Sequence, residues 1–266
     1  FPCFPEGDGD PAILGDWDGC IARICAAPAD AGGQRLAYHA ITSGYILGEV
    51  IQRVTGASLT AYLNDTLRKP MGMRYFTYGL DGRSHSRVAT NHIAGMPVRW
   101  PVSRWAREAM SCSFGDAVRL SNQALFLDAV IPSGNLYATA DELSRFYQMM
   151  LDDGRSGDTQ VLAPETVVRL RRPAGRPAAD DILKAPMRYS EGLMLGMNPV
   201  GLYGPMSGQA FGHYGFMNIA GWADPDRDLS VGLLTTGKAV LGGHLLPVVR
   251  LLAEINHQCG GWRRAL

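Results

Sequence analysis

The 266-residue chain has the length of one large domain or two small ones, enough to bury a core without disulfide or metal support. Its apolar fraction of 46% and charged fraction of 19% are ordinary for a globular protein, and its formal net charge is +0. This neutrality argues against a broad electrostatic surface for nucleic acid. No stretch approaches the roughly 18 apolar residues of a membrane span.

The five cysteines are an odd number and contain no Cys-x-x-Cys pair. This pattern argues against a disulfide framework and against a structural zinc site. Free thiols are typical of a reducing compartment and slightly favour the cytoplasm, but a chain that begins at Phe1 does not itself assign one.

The first part of the chain is predicted to be mainly helical. After an irregular start, a short helix is expected over Trp17–Ala26. The next helix is expected over 41–55, with Gly44 and Gly48 on one face, where a neighbour could approach closely. Its apolar residues recur at helical spacing: Leu47, Val50, Ile51 and Val54. Ser58 is expected to cap a further helix that runs to about Arg68.

Further along, a single helix is predicted from about Phe114 to Val130. Thr139 and Glu142 form a capping-box pattern, which predicts a strong helix ending near Gly154. Pro164 is expected to begin a short helix through Leu170. The proline-rich stretch 173–186 is interpreted as a linker.

After residue 188 the pattern changes to strands, expected over 191–197, 212–222 and 229–236. A hairpin turn at 224–228 joins the last two, and an amphipathic helix over 245–257 is expected to lie across this sheet. The order predicts an α+β fold, with a helical region over 1–186 and an antiparallel sheet plus C-terminal helix over 187–266, in one compact domain.

One glycine-containing stretch fits seven of the eight positions of a phosphate-binding P-loop. It runs from Gly232 to Ala239, where the motif needs Ser or Thr to hold a metal ion. Gly232 also lies inside an apolar strand pattern. The stretch is therefore interpreted as a strand that ends in a turn, and no nucleotide or other cofactor is expected.

Two short segments indicate chemistry when they are taken together. One is Tyr38-His-Ala-Ile-Thr-Ser-Gly44, before a helix, and the other is Phe211-Gly-His-Tyr-Gly215, at the start of a strand. Alone, such a tyrosine is usually a packing residue and such a histidine a strand-edge residue. The chain also lacks a Gly-x-Ser-x-Gly motif, so an α/β-hydrolase nucleophile is excluded.

Together these segments resemble the second and third motifs of the serine β-lactamase and penicillin-binding-protein superfamily, especially its class C-like esterase branch. The helix reading Gly44-Tyr-Ile-Leu-Gly-Glu-Val-Ile-Gln-Arg-Val-Thr-Gly56 is similar to the helix that follows the family's tyrosine. Lys69-Pro-Met-Gly-Met73 resembles the family's Pro-Leu-Gly-Met turn, and Pro132 to Phe146 resembles a later helical segment. The likeness spans about residues 16–260.

The resemblance implies a β-lactamase/transpeptidase-like fold and a serine that attacks a small ester or amide, with hydrolysis or acyl transfer as the outcome. It implies Tyr38 in proton transfer and His213 in electrostatic stabilisation, where the family often has lysine. The oxyanion and substrate-binding candidates that it implies are Phe216 (through its backbone N–H), Gly215, Tyr214, Asn135 and Trp222. Neither a metal nor an organic cofactor is implied.

Two departures from the family pattern qualify this interpretation. Ala40 replaces the asparagine of the Tyr-x-Asn motif, which favours an esterase or acyltransferase over a β-lactamase. The larger departure is that no Ser-x-x-Lys motif occurs. The sequence therefore predicts a truncated enzyme without the N-terminal strands of the fold, inactive alone, that self-associates or pairs with a segment supplying the motif. The alternative is a non-catalytic relative that binds a ligand.

Overall fold

The computed structural model describes residues 11–28, 35–110, 112–215 and 218–259. The helices in these ranges are α1 (Trp17–Ala26), α2 (Thr42–Thr55), α3 (Leu59–Leu63), α4 (Val102–Met110), α5 (Phe114–Leu120), α6 (Ala124–Asp128), α7 (Ala140–Leu151), α8 (Pro164–Arg171) and α9 (Leu245–Gln258). The strands are β1 (His92–Ile93), β2 (Arg155–Ser156), β3 (Thr159–Gln160), β4 (Ala178–Ala179), β5 (Pro186–Met187), β6 (Met194–Leu195), β7 (Val200–Gly201), β8 (Gly204–Pro205), β9 (Phe211–Gly215), β10 (Ile219–Asp224), β11 (Leu229–Leu233) and β12 (Gly237–Lys238). The predicted α+β order is confirmed.

The main sheet is antiparallel, with four strands in the order β11-β10-β9-β6. The predicted hairpin between β10 and β11 is present. The prediction of one strand over 212–222 is wrong, because β9 ends at Gly215 and its hairpin partner β10 begins at Ile219. Asn218 has a left-handed backbone (φ 58°) just before β10, which an extended strand does not allow. The strand predicted over 191–197 is reduced to β6.

The sheet lies between α7 and α9. On one face, a side chain at Gly221 would collide with Tyr147 of α7, and one at Gly232 would collide with the backbone of Ala140, so these two glycines let the helix approach closely. On the opposite face, Leu252 of α9 packs with Tyr203 and Trp222. The predicted C-terminal helix therefore lies across the sheet as expected.

The helix α2 forms where it was predicted, and the close approach predicted at its glycine face is confirmed, whereas its apolar periodicity does not mark the buried face. Leu47, Val50 and Val54 are 61%, 53% and 79% exposed, whereas Tyr45 and Gly48 are buried. Gly48 is in contact with the Trp17 ring of α1, and Gly44 lies against Ser133, so the glycine face is the one that packs. Side-chain size, rather than apolar periodicity, decides which face meets the neighbour.

Two other segments differ from prediction. The helix expected over 114–130 is two short helices, α5 and α6, because Asn122 leaves the helical path and its amide donates to the carbonyl of Asn91 (2.9 Å). The stretch 173–186 is not a linker, since β4 pairs with β5 and Asp180 is buried. The predicted division of the chain at residue 186 stays a prediction.

Candidate functional site

Tyr38 and His213, which lie 175 positions apart in the sequence, are in contact. The Tyr38 hydroxyl is 3.1 Å from His213 Nε2, and the ring centroids are 5.9 Å apart at an interplanar angle of 41°. Both side chains are partly buried. The fold therefore brings a phenol and an imidazole within hydrogen-bonding distance of each other.

Different elements position the two rings. Tyr38 lies in an irregular segment just before α2, and this segment is fixed by a hydrogen bond from the Ser43 hydroxyl to the His39 carbonyl (2.8 Å). His213 is the central residue of β9 and pairs with Gly221 of β10. Tyr147, from α7, lies against Gly221, so the helix packs directly over the strand pair that carries His213. A regular sheet strand therefore presents the imidazole to a less regular segment that carries the phenol.

Both rings are electrically neutral at neutral pH. Burial, with a smaller contribution from the negative charge of Asp180, raises the pKa of Tyr38 to about 12. Burial also lowers the pKa of His213 below its ordinary value of 6.5. A neutral phenol can either donate to or accept from a neutral imidazole, so the tautomer of His213 decides which of the two groups donates.

A buried polar residue that the sequence did not point to lies on a loop bonded to the segment of Tyr38, through the Asp181 N–H and the Leu36 carbonyl (2.8 Å). Asp180 is 1% exposed, and its Oδ2 accepts a hydrogen bond from the Tyr189 hydroxyl (3.0 Å). Its segment was interpreted as a linker because proline and alanine obscure any periodicity there. The Asp180-Asp181 pair between prolines was the only local signal, and such pairs are usually solvated.

The other predicted site residues have different positions. Gly215 ends β9, and Tyr214, next to His213, packs against the core on the Trp222 side of the sheet. Trp222 is fully buried and stacks on Tyr203 at 5.6 Å, so it is a core residue and does not line a cleft. The prediction for Phe216 lies outside the described residues.

Asn135 is also a core residue rather than a cleft residue. It is 4% exposed, and its amide nitrogen donates to the carbonyls of Phe126 (2.7 Å) and Ala129 (2.8 Å). Its amide oxygen accepts from the Ile131 backbone (2.9 Å). Because these three bonds close the turn after α6, the amide of Asn135 is committed to the fold and is not available to a substrate.

Three general features of the described ranges bear on function. The cysteines at 20, 25, 112 and 259 are free thiols. Among the residues that the structure describes, no cluster of three His, Cys, Asp or Glu side chains could hold a metal ion. Within the same ranges, none of the helices combines the length and the hydropathy that a membrane crossing needs.

Solved structures that share this fold include a penicillin-binding protein homolog and a carboxylesterase. The chain superposes on a penicillin-binding protein homolog from Caulobacter crescentus with a TM-score of 0.76 and 28% identity, over 93% of this chain and 66% of that one. It superposes on a family VIII carboxylesterase with a TM-score of 0.76 and 26% identity, over 94% of this chain and 66% of that one. The β-lactamase and penicillin-binding-protein-like fold is thus confirmed.

Sequence comparison agrees with the fold. The esterase/beta-lactamase LipL of Mycobacterium tuberculosis is 27% identical over 223 residues, which are 80% of this chain and 51% of LipL. The chain spans about half the length of the first curated relatives that it matches. The profile of the family described as Beta-lactamase matches residues 4–253, almost the whole sequence. With the fold in agreement, this chain belongs to the β-lactamase family.

Proposed function

We propose that this chain supplies the proton-transfer part of an esterase site, for hydrolysis or transfer of the acyl group of a small ester or amide. The observation that carries the proposal is the 3.1 Å contact between the Tyr38 hydroxyl and His213 Nε2. The esterase names of LipL and of the family VIII carboxylesterase support it. The loss of the motif asparagine at Ala40 favours an ester over a β-lactam as the substrate.

The charge state of the pair defines the role that each residue plays in this proposal. When a serine attacks the ester carbonyl, the leaving oxygen needs a proton as the carbon–oxygen bond breaks. Tyr38 gives its hydroxyl proton to that oxygen and is reprotonated by the proton that the attacking serine loses. In the second step, the proton lost by the attacking water passes in the same way to the serine oxygen as it leaves the acyl group. His213, neutral and hydrogen-bonded through Nε2, orients the phenol between the two steps.

The family's nucleophile motif, Ser-x-x-Lys, is the part of this chemistry that the 266 residues do not contain. The three lysines are Lys69, Lys184 and Lys238, and the residues three positions earlier are Thr66, Asp181 and Thr235. None of these pairs is Ser-x-x-Lys. We therefore propose that this chain by itself forms no acyl-enzyme.

Mass spectrometry tests this proposal directly. The chain is incubated with a fluorophosphonate and, separately, with a penicillin-type probe, and its intact mass is measured. We expect an unchanged mass with both probes. A covalent adduct on any serine would contradict the proposal and would also identify a nucleophile outside the family's motif.

The absence of Ser-x-x-Lys also favours a second candidate function, in which the chain is a non-catalytic family member that binds a ligand in the cleft corresponding to the family's active site. Hydrolysis of a short-chain nitrophenyl ester distinguishes the esterase function from the binding function. It is measured on the protein that includes the reading frame upstream of Phe1. If that frame holds Ser-x-x-Lys, we expect turnover that falls at least tenfold in the Tyr38→Phe variant. If it lacks the motif and the protein shows ester binding without turnover, the binding function is supported.

We also propose that the chain pairs with a segment carrying the motif, or with a second copy of itself. Apolar side chains on two helices support this, since α2 exposes Leu47, Val50 and Val54, and α9 exposes Leu246 and Val249 by more than half. An apolar helix face that is exposed in one chain can be covered by a partner. Sedimentation velocity tests self-association, and a monomer at micromolar concentration would exclude that form of the proposal.

A further inference from the structure

The segment that leads into α4 exposes three large apolar side chains. Ile93, Met96 and Trp100 are 58%, 63% and 79% exposed, and Trp100 lies two residues before α4 begins. Ile93 and Met96 line the same open hollow, which has a volume of about 360 Å³, so they belong to one surface. Apolar side chains of this size that are grouped on one surface are typical of a binding site.

The same surface carries an excess of positive charge. Arg99 and Arg107 are exposed, and in the part of the chain that the structure describes neither forms an ion pair. The acidic side chains nearby, Glu108 and Asp116, are already paired with other arginines. Lys184, exposed in a second hollow along α4, adds a further cation. Because the whole chain has a formal net charge of +0, this excess is local.

On one side, this surface is connected to the segment that carries Tyr38. The Trp105 indole of α4 donates to the Ile182 carbonyl (2.7 Å). In the same loop, the Asp181 N–H donates to the Leu36 carbonyl (2.8 Å), two residues before Tyr38. Hydrogen bonds therefore join α4 to the phenol's segment through a single short loop.

On its other side, the surface is connected to the hairpin that carries His213. Ile93 of β1 pairs with Lys238 of β12. The next residue, Ala239, accepts through its carbonyl from the side-chain amide of Asn218 (2.9 Å). Asn218 immediately precedes β10, which pairs with the strand of His213. The exposed surface is thus joined to both parts of the candidate site.

We propose that this surface docks on an anionic lipid layer. We call it the Trp100 surface, and it comprises Ile93, Met96, Arg99, Trp100 and Arg107. Its apolar side chains enter the boundary between headgroups and acyl chains, where an indole ring is favoured, and its arginines pair with the anionic headgroups. The contact is made on one side of the lipid layer and needs no helix that crosses it.

The arrangement of charge on this surface favours such an occupant. Arg99 lies between Met96 and Trp100 in the chain, so the occupant must offer negative charge and apolar surface side by side. An anionic lipid layer offers both, because its charged headgroups lie directly over its acyl chains. For its catalytic meaning the inference rests on the proposed function: an ester held in the layer is presented beside the segments of Tyr38 and His213.

Co-sedimentation with vesicles tests the inference. The 266-residue chain is mixed with vesicles of phosphatidylcholine alone, or of equal parts phosphatidylcholine and phosphatidylglycerol, at low and at high salt. We expect stronger binding to the anionic vesicles, and we expect salt to weaken it because the attraction of the arginines to the headgroups is screened. No binding, or equal binding to the two kinds of vesicle, would overturn the inference.

Variants identify the surface that makes the contact. We expect Arg99→Gln/Arg107→Gln to weaken binding by roughly 25-fold, a factor of about five for each arginine near an anionic layer. The matched control is Arg155→Gln/Arg172→Gln, which removes two exposed arginines outside the Trp100 surface and should leave binding unchanged. All four side chains are exposed, so the fold should be kept, which circular dichroism checks. Equal losses of binding in the two double variants would overturn the inference.

Trp100→Ala tests the apolar part of the contact. We expect it to weaken binding at both salt concentrations, because burial of the indole is not screened by salt. Sedimentation velocity without lipid examines a different occupant, a second copy of the chain. If Trp100→Ala abolished self-association while the parent chain bound no vesicles, the surface would be an interface between copies and the inference would be wrong. None of these measurements uses an ester, so their outcome is separate from that of the esterase proposal.

Discussion

At the scale of single residues, the candidate site is defined by polar groups that the fold removes from water. Tyr38 and His213 were paired from the sequence because each lies in a motif of recognisable composition and order. Asp180 was not found, since nothing in its own segment distinguishes a buried carboxylate from a solvated one. Its burial goes with the hydrogen bond from Tyr189 to Asp180 and with the bond from the neighbouring Asp181 to residue 36, and such contacts are set by the tertiary fold.

Burial of His213 predicts a dependence of stability on pH. Its pKa is lowered in the folded chain, while in the unfolded chain it keeps its ordinary value of about 6.5. Below this pH the unfolded chain binds the proton more readily, so the stabilising contribution is fully present above about pH 6.5 and is lost as the pH falls through the folded pKa. We expect His213→Asn to reduce the loss of stability between pH 7.5 and 5.5, measured by urea unfolding.

The matched control for this experiment is His92→Asn, on the exposed strand β1. Burial also lowers the pKa of His39, so part of the pH dependence should remain in the His213 variant. We expect the exposed control to leave the pH dependence unchanged. If His213→Asn lost as much stability between pH 7.5 and 5.5 as the parent chain, the buried imidazole would not be the cause of the pH dependence.

At the scale of elements, α7 illustrates how a local pattern and a tertiary contact reinforce each other. Glu142 completes the predicted capping box by accepting from the Thr139 N–H (3.1 Å). Its other oxygen accepts from the backbone N–H groups of Arg74 (2.5 Å) and Tyr75 (2.8 Å). We expect Glu142→Gln to lower the free energy of unfolding by about 1–3 kcal/mol, because an amide NH₂ must then face a buried donor.

Glu165→Gln provides the comparison, since Glu165 lies in the first turn of α8 and is exposed. The Glu165→Gln substitution removes the same charge from the same kind of helix position, and we expect it to change the free energy of unfolding by no more than about 0.5 kcal/mol. Chemical denaturation of both variants measures the difference. Similar values for the two would mean that the contacts with residues 74 and 75 add nothing to the cap.

The packing of α7 on the sheet gives a second prediction at this scale. Gly232 of β11 lies under the helix, where an added Cβ would collide with the Ala140 carbonyl. Neither backbone can move freely, so we expect Gly232→Ala to destabilise the chain by about 1–3 kcal/mol. Gly243→Ala, where a Cβ meets nothing within 4 Å, should change stability little. A thermal unfolding midpoint for Gly232→Ala equal to that of Gly243→Ala would contradict this account.

The elements that sequence reasoning located best are those with a local cause. The helix α1 has its predicted ends, and the capping box of α7 is where the pattern put it. The break between α5 and α6 was missed because Asn122 bonds to Asn91, which lies 31 positions away. The close approach of neighbours at Gly44 and Gly48 of α2 was predicted, because glycine leaves room for them, whereas the apolar periodicity of this helix did not mark its packed face.

At the scale of the whole molecule, one side chain connects the main sheet to the helix α9, which covers one face of that sheet. The turn between β10 and β11 is connected to α9 by Arg227, which donates to the Asn256 carbonyl (3.2 Å) and to the Met206 carbonyl (3.1 Å). Arg227 also pairs with Asp224 at 2.5 Å, where the side chains are 12% and 1% exposed. One buried cation therefore connects the hairpin, the preceding loop and the C-terminal helix.

Removing this cation should affect the whole molecule, since it leaves a buried carboxylate without its charged partner. We expect Arg227→Ala to lower the free energy of unfolding by about 3–5 kcal/mol, more than a surface ion pair contributes. The matched control is Arg169→Ala, which breaks the 71% and 56% exposed pair with Glu191 and should cost less than about 1 kcal/mol. Urea unfolding, monitored by near-UV circular dichroism of the tryptophans, measures both variants.

Because Trp222 packs under α9, loss of the α9 contact should also change its near-UV signal in Arg227→Ala. Equal stability losses in the two variants, with an unchanged tryptophan signal, would show that α9 is held by its apolar face alone.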